Sequence, residues 1–363
     1  MNHQFTITGA ERTPFLTWFT EGIKEKFSSN GYQYCKEPLE DIRIVFNVID
    51  KDKPRPFRRK AQATFVVSIL EEHRESEHTF KTAYPYLIRS ISNHLIYIIH
   101  TKEQTEVSFI TPEQGFYKIT YQNESEEDFF QKIFERLEPV ASSELVIDNE
   151  FIQDLDEELW SGNETTRKMY QSGKKLDQMN LLPAPFPLEK YLDERDMRHL
   201  KKLYSIGGLS YGNLSSRHSE NNFWMSASGV NKADMRVIGQ DILYIKGFNV
   251  EKKAMEISVP PNISPKRASV DAIEHWMIYK EHPEVGAIVH IHAWMDGIKE
   301  TVINFPCGTI QLAEAVADLV RKAENPSRTI IGLKNHGLTI TGHDLEDIFS
   351  RIDGKVIAQV PMS

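Results

Sequence analysis

The sequence predicts an α/β protein of two domains, the first of them an α+β module. Its 363 residues exceed the usual size of a single domain. Hydrophobic residues make up 40% of the chain and charged residues 26%, which is enough apolar material to form cores. Three prolines alternate in NLLPAPFPLEKY, residues 180–191, which disfavours a helix and favours an extended connector. We therefore expect domains at 1–180 and 191–363, joined by a linker at 181–190.

The first domain is predicted to combine two helices with a set of strands. One helix should begin at Thr13-Pro14, where a capping residue precedes proline, and end near Asn30-Gly31. A second helix is predicted at 126–137 from apolar residues spaced three and four apart. Segments rich in β-branched and aromatic residues predict strands at 43–49, 63–70, 95–100, 107–111 and 116–121. This pattern indicates an accessory α+β domain without a recognisable catalytic constellation.

Composition and charge argue against several classes of partner. The chain has 43 basic and 52 acidic residues, and residues 113–158 alone contain 14 acidic residues against three basic ones. This balance disfavours nucleic acid and anionic membranes as partners. The sequence has no run of 18 apolar residues and no signal-peptide pattern. Because Cys35 and Cys307 suggest no disulfide framework, we expect a cytoplasmic protein without nucleic-acid or membrane partners.

Three histidines in the second domain are candidate metal ligands. His290 and His292 stand two apart at the end of an apolar run, so both side chains would leave the same face of a strand. His336 precedes a glycine at a break in a later strand, which gives its imidazole freedom to point inwards. Neutral imidazoles suit zinc, and three protein ligands with an open position are typical of catalytic sites. Spacing alone leaves open the alternative that the pair is the polar side of an edge strand.

A predicted helix just before this strand adds a carboxylate. Ser269 is its expected N-cap, and the helix should extend to about Lys280. Asp271, in its first turn, could reach the histidine face or could simply favour the helix dipole. Glu274 lies nearby, and His275 shares a helix face with Asp271 and is a candidate to orient a metal-binding histidine.

Two turns of small residues are candidates for anion binding. Gly212-Asn213 can adopt left-handed backbone angles that direct amide groups into a concavity, and Ser228-Gly229 forms a similar turn. Together they could cradle an anion, although each alone is an ordinary turn.

Four motifs in this half of the chain, taken in order, resemble the class II aldolase/adducin family. They are GNLSSR (212–217), FWMSASGVNK (223–232), SVDAIEHWMIYKEHPEVGAIVHIHA (269–293) and LKNHGLTITG (333–342). The resemblance extends from about residue 190 to the end of the chain and includes the fuculose-phosphate aldolases and ribulose-phosphate 4-epimerases of that family.

The resemblance implies an αβα-layered domain and a metal-dependent active site. The metal, Zn²⁺ or alternatively Fe²⁺, Mn²⁺ or Co²⁺, would be held by His290, His292 and His336. Asp271 would be the acid/base residue, and a homo-oligomer, in particular a tetramer, is implied. The resemblance also implies a pocket for the substrate's phosphate, lined by Gly212, Asn213, Ser228, Gly229 and Ser269.

The expected function is that of a lyase-type enzyme acting on a small molecule. It would stabilise an enediolate during retro-aldol cleavage or epimerisation of a phosphorylated ketose or a related hydroxy-carbonyl compound. One alternative is a metalloenzyme of the same fold with dehydratase, decarboxylase or iron-dependent oxygenase chemistry, because the tyrosine acids of the family have no counterpart here. The other alternative is a non-catalytic, adducin-like interaction domain.

Overall fold

The computed structural model of the protein describes most of the chain. The described residues are 3–37, 42–61, 64–74, 76–101, 104–112, 116–122, 124–184, 186–203 and 210–362. Their contacts divide the chain into two compact units. The first unit comprises Met1–Ser142, Phe186–Tyr204 and Met362–Ser363, and the second comprises Ser143–Pro185 and Ser205–Pro361.

This division differs from the predicted one on both sides of the alternating prolines. Residues 143–180 were expected in the first domain, but their strand and helix join the second unit. Residues 191–204 were expected in the second domain, but they join the first unit. The expected linker at 181–190 is itself packed: Leu182 is buried in the core of the second unit, and Phe186 contacts Tyr84 in the first. The alternating prolines therefore mark the point at which the chain passes from the second unit to the first, and packed residues lie on both sides of that point.

The first unit begins with β1 (Gln4–Gly9), α1 (Pro14–Ser29), β2 (Gln33–Tyr34), β3 (Ile44–Val48), β4 (Phe65–Glu72), α2 (Thr79–Arg89), β5 (His94–His100), β6 (Thr105–Ile110), β7 (Phe116–Tyr121) and α3 (Glu126–Ser142). Then follow β8 (Asp148–Ile152) and α4 (Glu164–Gln178) of the second unit, and α5 (Leu188–Tyr191) and α6 (Glu194–Leu203) of the first.

The remaining elements all belong to the second unit. They are β9 (Asn213–Ser219), β10 (Asn222–Ser226), β11 (Ile242–Asn249), β12 (Ala254–Ser258), α7 (Ala272–Glu281), β13 (Ala287–Ile291), β14 (Lys299–Glu300), α8 (Ile310–Arg321), β15 (Ile330–Leu333), β16 (Gly337–Gly342) and α9 (Leu345–Ile352). Among the described residues, no helix is both long enough and apolar enough to cross a membrane.

The first sheet has the strand order β2-β1-β3-β4-β5-β6-β7. All five predicted strands are confirmed, as β3 to β7. The sheet differs from the α+β prediction because its first five strands run parallel, whereas β6 and β7 are antiparallel. The predicted start of α1 is confirmed: Thr13 caps the helix by accepting a hydrogen bond from the backbone N–H of Leu16 at 3.0 Å, and Pro14 is its first residue.

The second sheet has the order β14-β15-β16-β13-β9-β10-β11-β12-β8. β13 lies between β9 and β16, and the antiparallel register places His290 opposite Asn213 on one side and Thr339 on the other. Opposed residues of an antiparallel pair share a face, so these three side chains point to the same side of the sheet.

Helices pack on both faces of this sheet. On the face that bears His290, α7 is anchored by a hydrogen bond from Thr339 to Glu274. On the opposite face α9 approaches so closely that a Cβ at Gly342 would lie 2.4 Å from the side chain of Ile348. The histidine face is therefore enclosed between the sheet and α7.

Candidate metal centre

The structure brings the three candidate histidines together. His290 belongs to β13, His292 follows its last residue, and His336 lies in the turn between β15 and β16. The ring centroids are 5.1 Å apart for His290 and His292, 4.9 Å for His290 and His336, and 4.8 Å for His292 and His336. One ring nitrogen from each histidine can be chosen so that all three lie within 4.8 Å of one another.

The turn that carries His336 depends on its neighbours. Asn335 adopts a left-handed backbone with φ of 59°, which asparagine tolerates better than most residues. A Cβ at Gly337 would lie 2.2 Å from the carbonyl oxygen of Ile291. Glycine at 337 therefore allows β16 to start against the end of β13, next to His292.

Among the three histidines, His290 has the hydrogen-bond pattern of a metal ligand. Nδ1 of His290 lies 3.1 Å from the carbonyl oxygen of Leu338. A carbonyl only accepts, so Nδ1 carries the proton and Nε2 keeps its lone pair. Nε2 of His290 and Nδ1 of both His292 and His336 are buried and have no hydrogen-bond partner among the described residues. The Nε2 atoms of His292 and His336 face each other at 3.2 Å.

Burial keeps all three imidazoles neutral. It lowers the pKa of His290 to about 4 and that of His336 to about 3, the latter also through the neighbouring His290. Burial and the other two histidines hold the pKa of His292 well below its usual value. Neutral imidazoles offer lone pairs, and buried nitrogens without partners carry a desolvation cost that a cation would relieve. The residues present thus fit a divalent metal.

Asp271 is buried beside this cluster. Its Oδ2 accepts hydrogen bonds from Nδ2 of Asn213 at 2.7 Å and from Oγ of Ser269 at 3.3 Å. Burial raises its pKa, while His336 and these two hydrogen bonds act in the opposite direction. Asp271, and not Ser269 as predicted, occupies the N-cap position of α7, but its side chain makes no capping hydrogen bond. The carboxylate of Asp271 is hydrogen-bonded to the side chain of Asn213 and does not cap the helix.

Two more residues of α7 are buried near the cluster. Oε1 of Glu274 accepts a hydrogen bond from Oγ of Thr339 at 2.5 Å, and burial raises the Glu274 pKa to about 8. Nδ1 of His275 contacts Oγ of Ser215 at 2.8 Å, and the same oxygen lies 2.9 Å from the hydroxyl of Tyr279. We call these last three residues the Ser215 network. His275 was a candidate to orient a metal-binding histidine, but its partner is Ser215, whereas His290 is oriented by a backbone carbonyl.

Lys232 was not among the predicted site residues. Its side chain is only 2% exposed, and Nζ donates to the carbonyl oxygen of Ser210 at 2.7 Å and to Oγ of Ser210 at 3.2 Å. Burial lowers its pKa to about 7, against the attraction of Asp271. Its place at the end of the FWMSASGVNK motif was the available signal, but a lysine next to a turn is usually solvated.

The residues predicted to bind phosphate fall into two groups. Asn213 and Ser269 contact each other at 3.1 Å and surround Asp271. Gly212 has φ of 67°, and a Cβ there would lie 2.3 Å from the carbonyl oxygen of His290. The other group is the Ser228-Gly229 turn, in which the backbone N–H of Ser228 donates a hydrogen bond to the carbonyl oxygen of Arg267 at 2.8 Å. Gly212 and Asn213 thus adjoin His290, and Ser269 contacts Asp271, while the backbone of Ser228 is hydrogen-bonded to that of Arg267.

Comparisons with known proteins give a family match for part of the chain. Residues 197–295 match the family model described as the Class II Aldolase and Adducin N-terminal domain. An L-fuculose phosphate aldolase from Methanocaldococcus jannaschii is 27% identical over 123 residues, which cover 30% of this chain and 68% of that protein.

Two solved structures are also similar. YgbL from Klebsiella pneumoniae, a putative aldolase/epimerase/decarboxylase, has 17% identity and a TM-score of 0.35, covering 52% of this chain and 84% of that one. An aldolase II superfamily protein from Pseudomonas syringae has 14% identity and a TM-score of 0.36, and the match covers 55% of this chain and 73% of that chain. The family match and the aldolase relative confirm the predicted resemblance: residues 197–295 carry the sequence pattern of the class II aldolase and adducin family.

Proposed function

We propose that the second unit is a metal-dependent enzyme of the aldolase/epimerase type. Its reaction would be retro-aldol cleavage or epimerisation of a ketose or a related hydroxy-carbonyl compound. The observation that carries this proposal is the convergence of three neutral imidazoles, of which His290 and His336 are buried and His292 is half-buried, together with the buried carboxylate of Asp271, which interacts electrostatically with His336. The match of residues 197–295 to the family supports the same reaction class.

His290, His292 and His336 would hold the metal. Zn²⁺ is the ion that a set of imidazole ligands suits best, with Fe²⁺, Mn²⁺ and Co²⁺ as alternatives. When bound, the cation would polarise the substrate's carbonyl group and offset the negative charge that develops on its oxygen.

Asp271 would move the proton. Cleavage of the carbon–carbon bond begins when the substrate's hydroxyl group loses its proton, and a carboxylate at hydrogen-bond distance can accept it and later return it. Asn213 and Ser269 fix Oδ2 of Asp271, so we assign the transfer to Oδ1. A raised pKa makes the carboxylate a better base, which is the direction that burial provides here.

The remaining proposed contacts concern substrate binding and assembly. The backbone amides of Gly212 and Gly229 and the hydroxyl of Ser228 would contact the substrate's phosphate, because the backbone N–H of Ser228 already donates to Arg267. Asn213 and Ser269 would act mainly through Asp271. A homo-tetramer is the assembly that the resemblance implies.

Metal analysis tests whether the centre exists. We expect one zinc ion per chain in protein titrated with zinc and dialysed, and at least a hundredfold weaker zinc binding in His290→Ala. His343→Ala, which removes an exposed histidine of the same unit, is the matched control and should bind zinc as the wild type does. Wild-type protein without stoichiometric metal would exclude the enzyme proposal and favour an adducin-like interaction domain.

Product analysis tests the chemistry. Zinc-loaded protein would be incubated with a panel of ketoses and phosphorylated ketoses, and both aldehyde release and epimer formation would be measured. Asp271→Asn should lower turnover at least a hundredfold, while Asp353→Asn, at an exposed position, should not change it. Turnover that survives in Asp271→Asn would refute the assignment of the proton-transfer residue.

A further inference from the structure

Lys232 is a buried lysine whose ammonium group, when protonated, has no carboxylate partner among the described residues. An ammonium group has three N–H donors, and the two hydrogen bonds of Nζ both go to Ser210. Among the ion pairs of the described residues, none joins Lys232 to a carboxylate. Burying a charge without an opposite charge is costly, so a binding function would explain why a lysine is tolerated here.

The ammonium group lies beside the histidines. Ser210, which holds it, precedes Tyr211, whose ring contacts that of His292 with centroids 5.3 Å apart. Lys232 and the buried Asp271 also attract each other. Lys232 is thus linked through Ser210 and Tyr211 to one proposed ligand, His292, and by its charge to the proposed acid/base residue.

The backbone around Lys232 is fixed in place. Gly173 of α4 packs directly on it, because a Cβ at Gly173 would lie 1.8 Å from the carbonyl oxygen of Lys232. The backbone N–H of Lys232 also donates to Oγ of Ser210 at 3.0 Å. The ammonium group is therefore positioned in advance, which reduces the entropy lost when a ligand binds.

The balance of charge favours an anionic ligand. Burial lowers the pKa of Lys232 to about 7, and an anion beside its amino group would favour the protonated form. With a divalent cation on three neutral imidazoles, protonated Lys232 adds one positive charge, and Asp271 supplies one negative charge in return. Glu274 adds none at neutral pH because its raised pKa keeps it protonated. A ligand that balances this excess positive charge would carry a negative charge next to its own metal-binding atoms.

We propose that Lys232 binds the carboxylate of the substrate and makes the site selective for α-hydroxy or α-keto acids. This inference rests on the proposed function and refines it, because it places the substrate's anionic group beside the metal. A phosphate at the far end of a sugar would instead reach the Ser228-Gly229 turn.

The test compares two probes of equal size and different charge. Glycolate and its neutral amide, glycolamide, both offer a hydroxyl and a carbonyl oxygen to zinc, and their affinities for zinc-loaded protein can be measured by calorimetry. We expect Lys232→Met to reduce the preference for glycolate about tenfold or more, because a charge-assisted hydrogen bond is lost. Zinc affinity should stay within about threefold of wild type, since Lys232 is not a ligand.

Further variants separate the role of Lys232 from general effects. Lys232→Arg should keep part of the preference, and Lys322→Met, at a lysine whose side chain is 66% exposed, should keep all of it. Lys232→Gln serves the same purpose if Lys232→Met does not fold, as judged by circular dichroism. An unchanged glycolate preference in the folded variant would overturn the proposal. Inorganic phosphate is titrated in parallel, and a variant that lost only its phosphate binding would overturn the proposal as well. If the protein bound no zinc, the proposed function would fail on its own, and the same titrations of metal-free protein would still test Lys232.

Discussion

Replacing Gly337 by alanine tests whether the close approach of two strands creates the histidine cluster. Gly337 opens β16, directly after His336, and the register of β13 and β16 places it opposite His292. The new Cβ would lie 2.2 Å from the carbonyl oxygen of Ile291 and 3.1 Å from the Cα of His292. Real Cβ atoms essentially never approach closer than 3.0 Å, so the two backbones must separate by at least about 0.8 Å.

A shift of this size acts directly on the proposed ligands. Separating the strands moves His336 away from His292, and displacements near 1 Å in an active site can reduce activity by about a hundredfold. For Gly337→Ala we expect a loss of stability of about 1–3 kcal/mol from overpacking. We also expect zinc binding to weaken by about tenfold or more, which corresponds to about 1.4 kcal/mol.

Competition with a chelator of known affinity measures the zinc affinity, and urea unfolding of the metal-free protein measures the stability. Gly247→Ala is the matched control, because a Cβ there meets its nearest atom, Oε2 of Glu256, at an ordinary 3.5 Å. If Gly337→Ala bound zinc as tightly as Gly247→Ala, the two strand ends would not determine the geometry of the cluster.

Three further substitutions test the packing around the site and in the first unit. Ser215→Ala removes the oxygen that His275 and Tyr279 share and should lower the free energy of unfolding in urea by about 1–3 kcal/mol. Ser219→Ala, at an exposed position, is the control and should lower it by almost nothing. Equal effects of the two substitutions would refute the role of the Ser215 network. Burial raises the pKa of Glu274 from 4.5 to about 8, so its contribution to stability is complete below pH 4.5 and is lost as the pH rises towards 8. The free energy of unfolding of metal-free Glu274→Gln, measured relative to that of the wild type, should therefore increase between pH 5 and pH 8. A difference that did not change with pH would contradict this. Arg89→Met removes the partner that the fully buried Asp196 contacts at 2.6 Å, while Arg195 remains at 3.4 Å. We expect a loss of about 2 kcal/mol, less than for a fully buried pair, because Arg89 is 30% exposed and Arg195 stays close. A loss below about 0.5 kcal/mol would refute this.

The strands of the first unit could be predicted where local composition decides the structure. β3 to β7 are runs of β-branched and aromatic residues, and each was found. α2 was missed because its signals are weak: it contains Pro85, and its N-cap residue, His78, makes no side-chain capping bond. The pairing of β8 with β12 joins Asp148 to Ala254, and no local pattern in the sequence reveals a contact between residues so far apart. This pairing is also part of the reason why the units divide differently from the prediction.

The site shows the same limit at the level of single residues. His290 and His292 could be identified because their spacing matches the period of a strand, and His336 because a glycine follows it. Lys232 and Glu274 could not, because charged residues are usually exposed and only the packed structure shows that these two are buried. The carboxylate contact of Asn213 was likewise hidden, since it joins the first residue of β9 to the N-cap of α7.

X-ray absorption at the zinc edge of zinc-loaded protein tests the central claim most directly, because it reports the atoms bound to the metal. The metal centre described here predicts three imidazole nitrogens at about 2.0–2.1 Å, with one imidazole lost in His290→Ala and none in His343→Ala. A spectrum with fewer imidazoles, with sulfur from a cysteine, or unchanged in His290→Ala would contradict it.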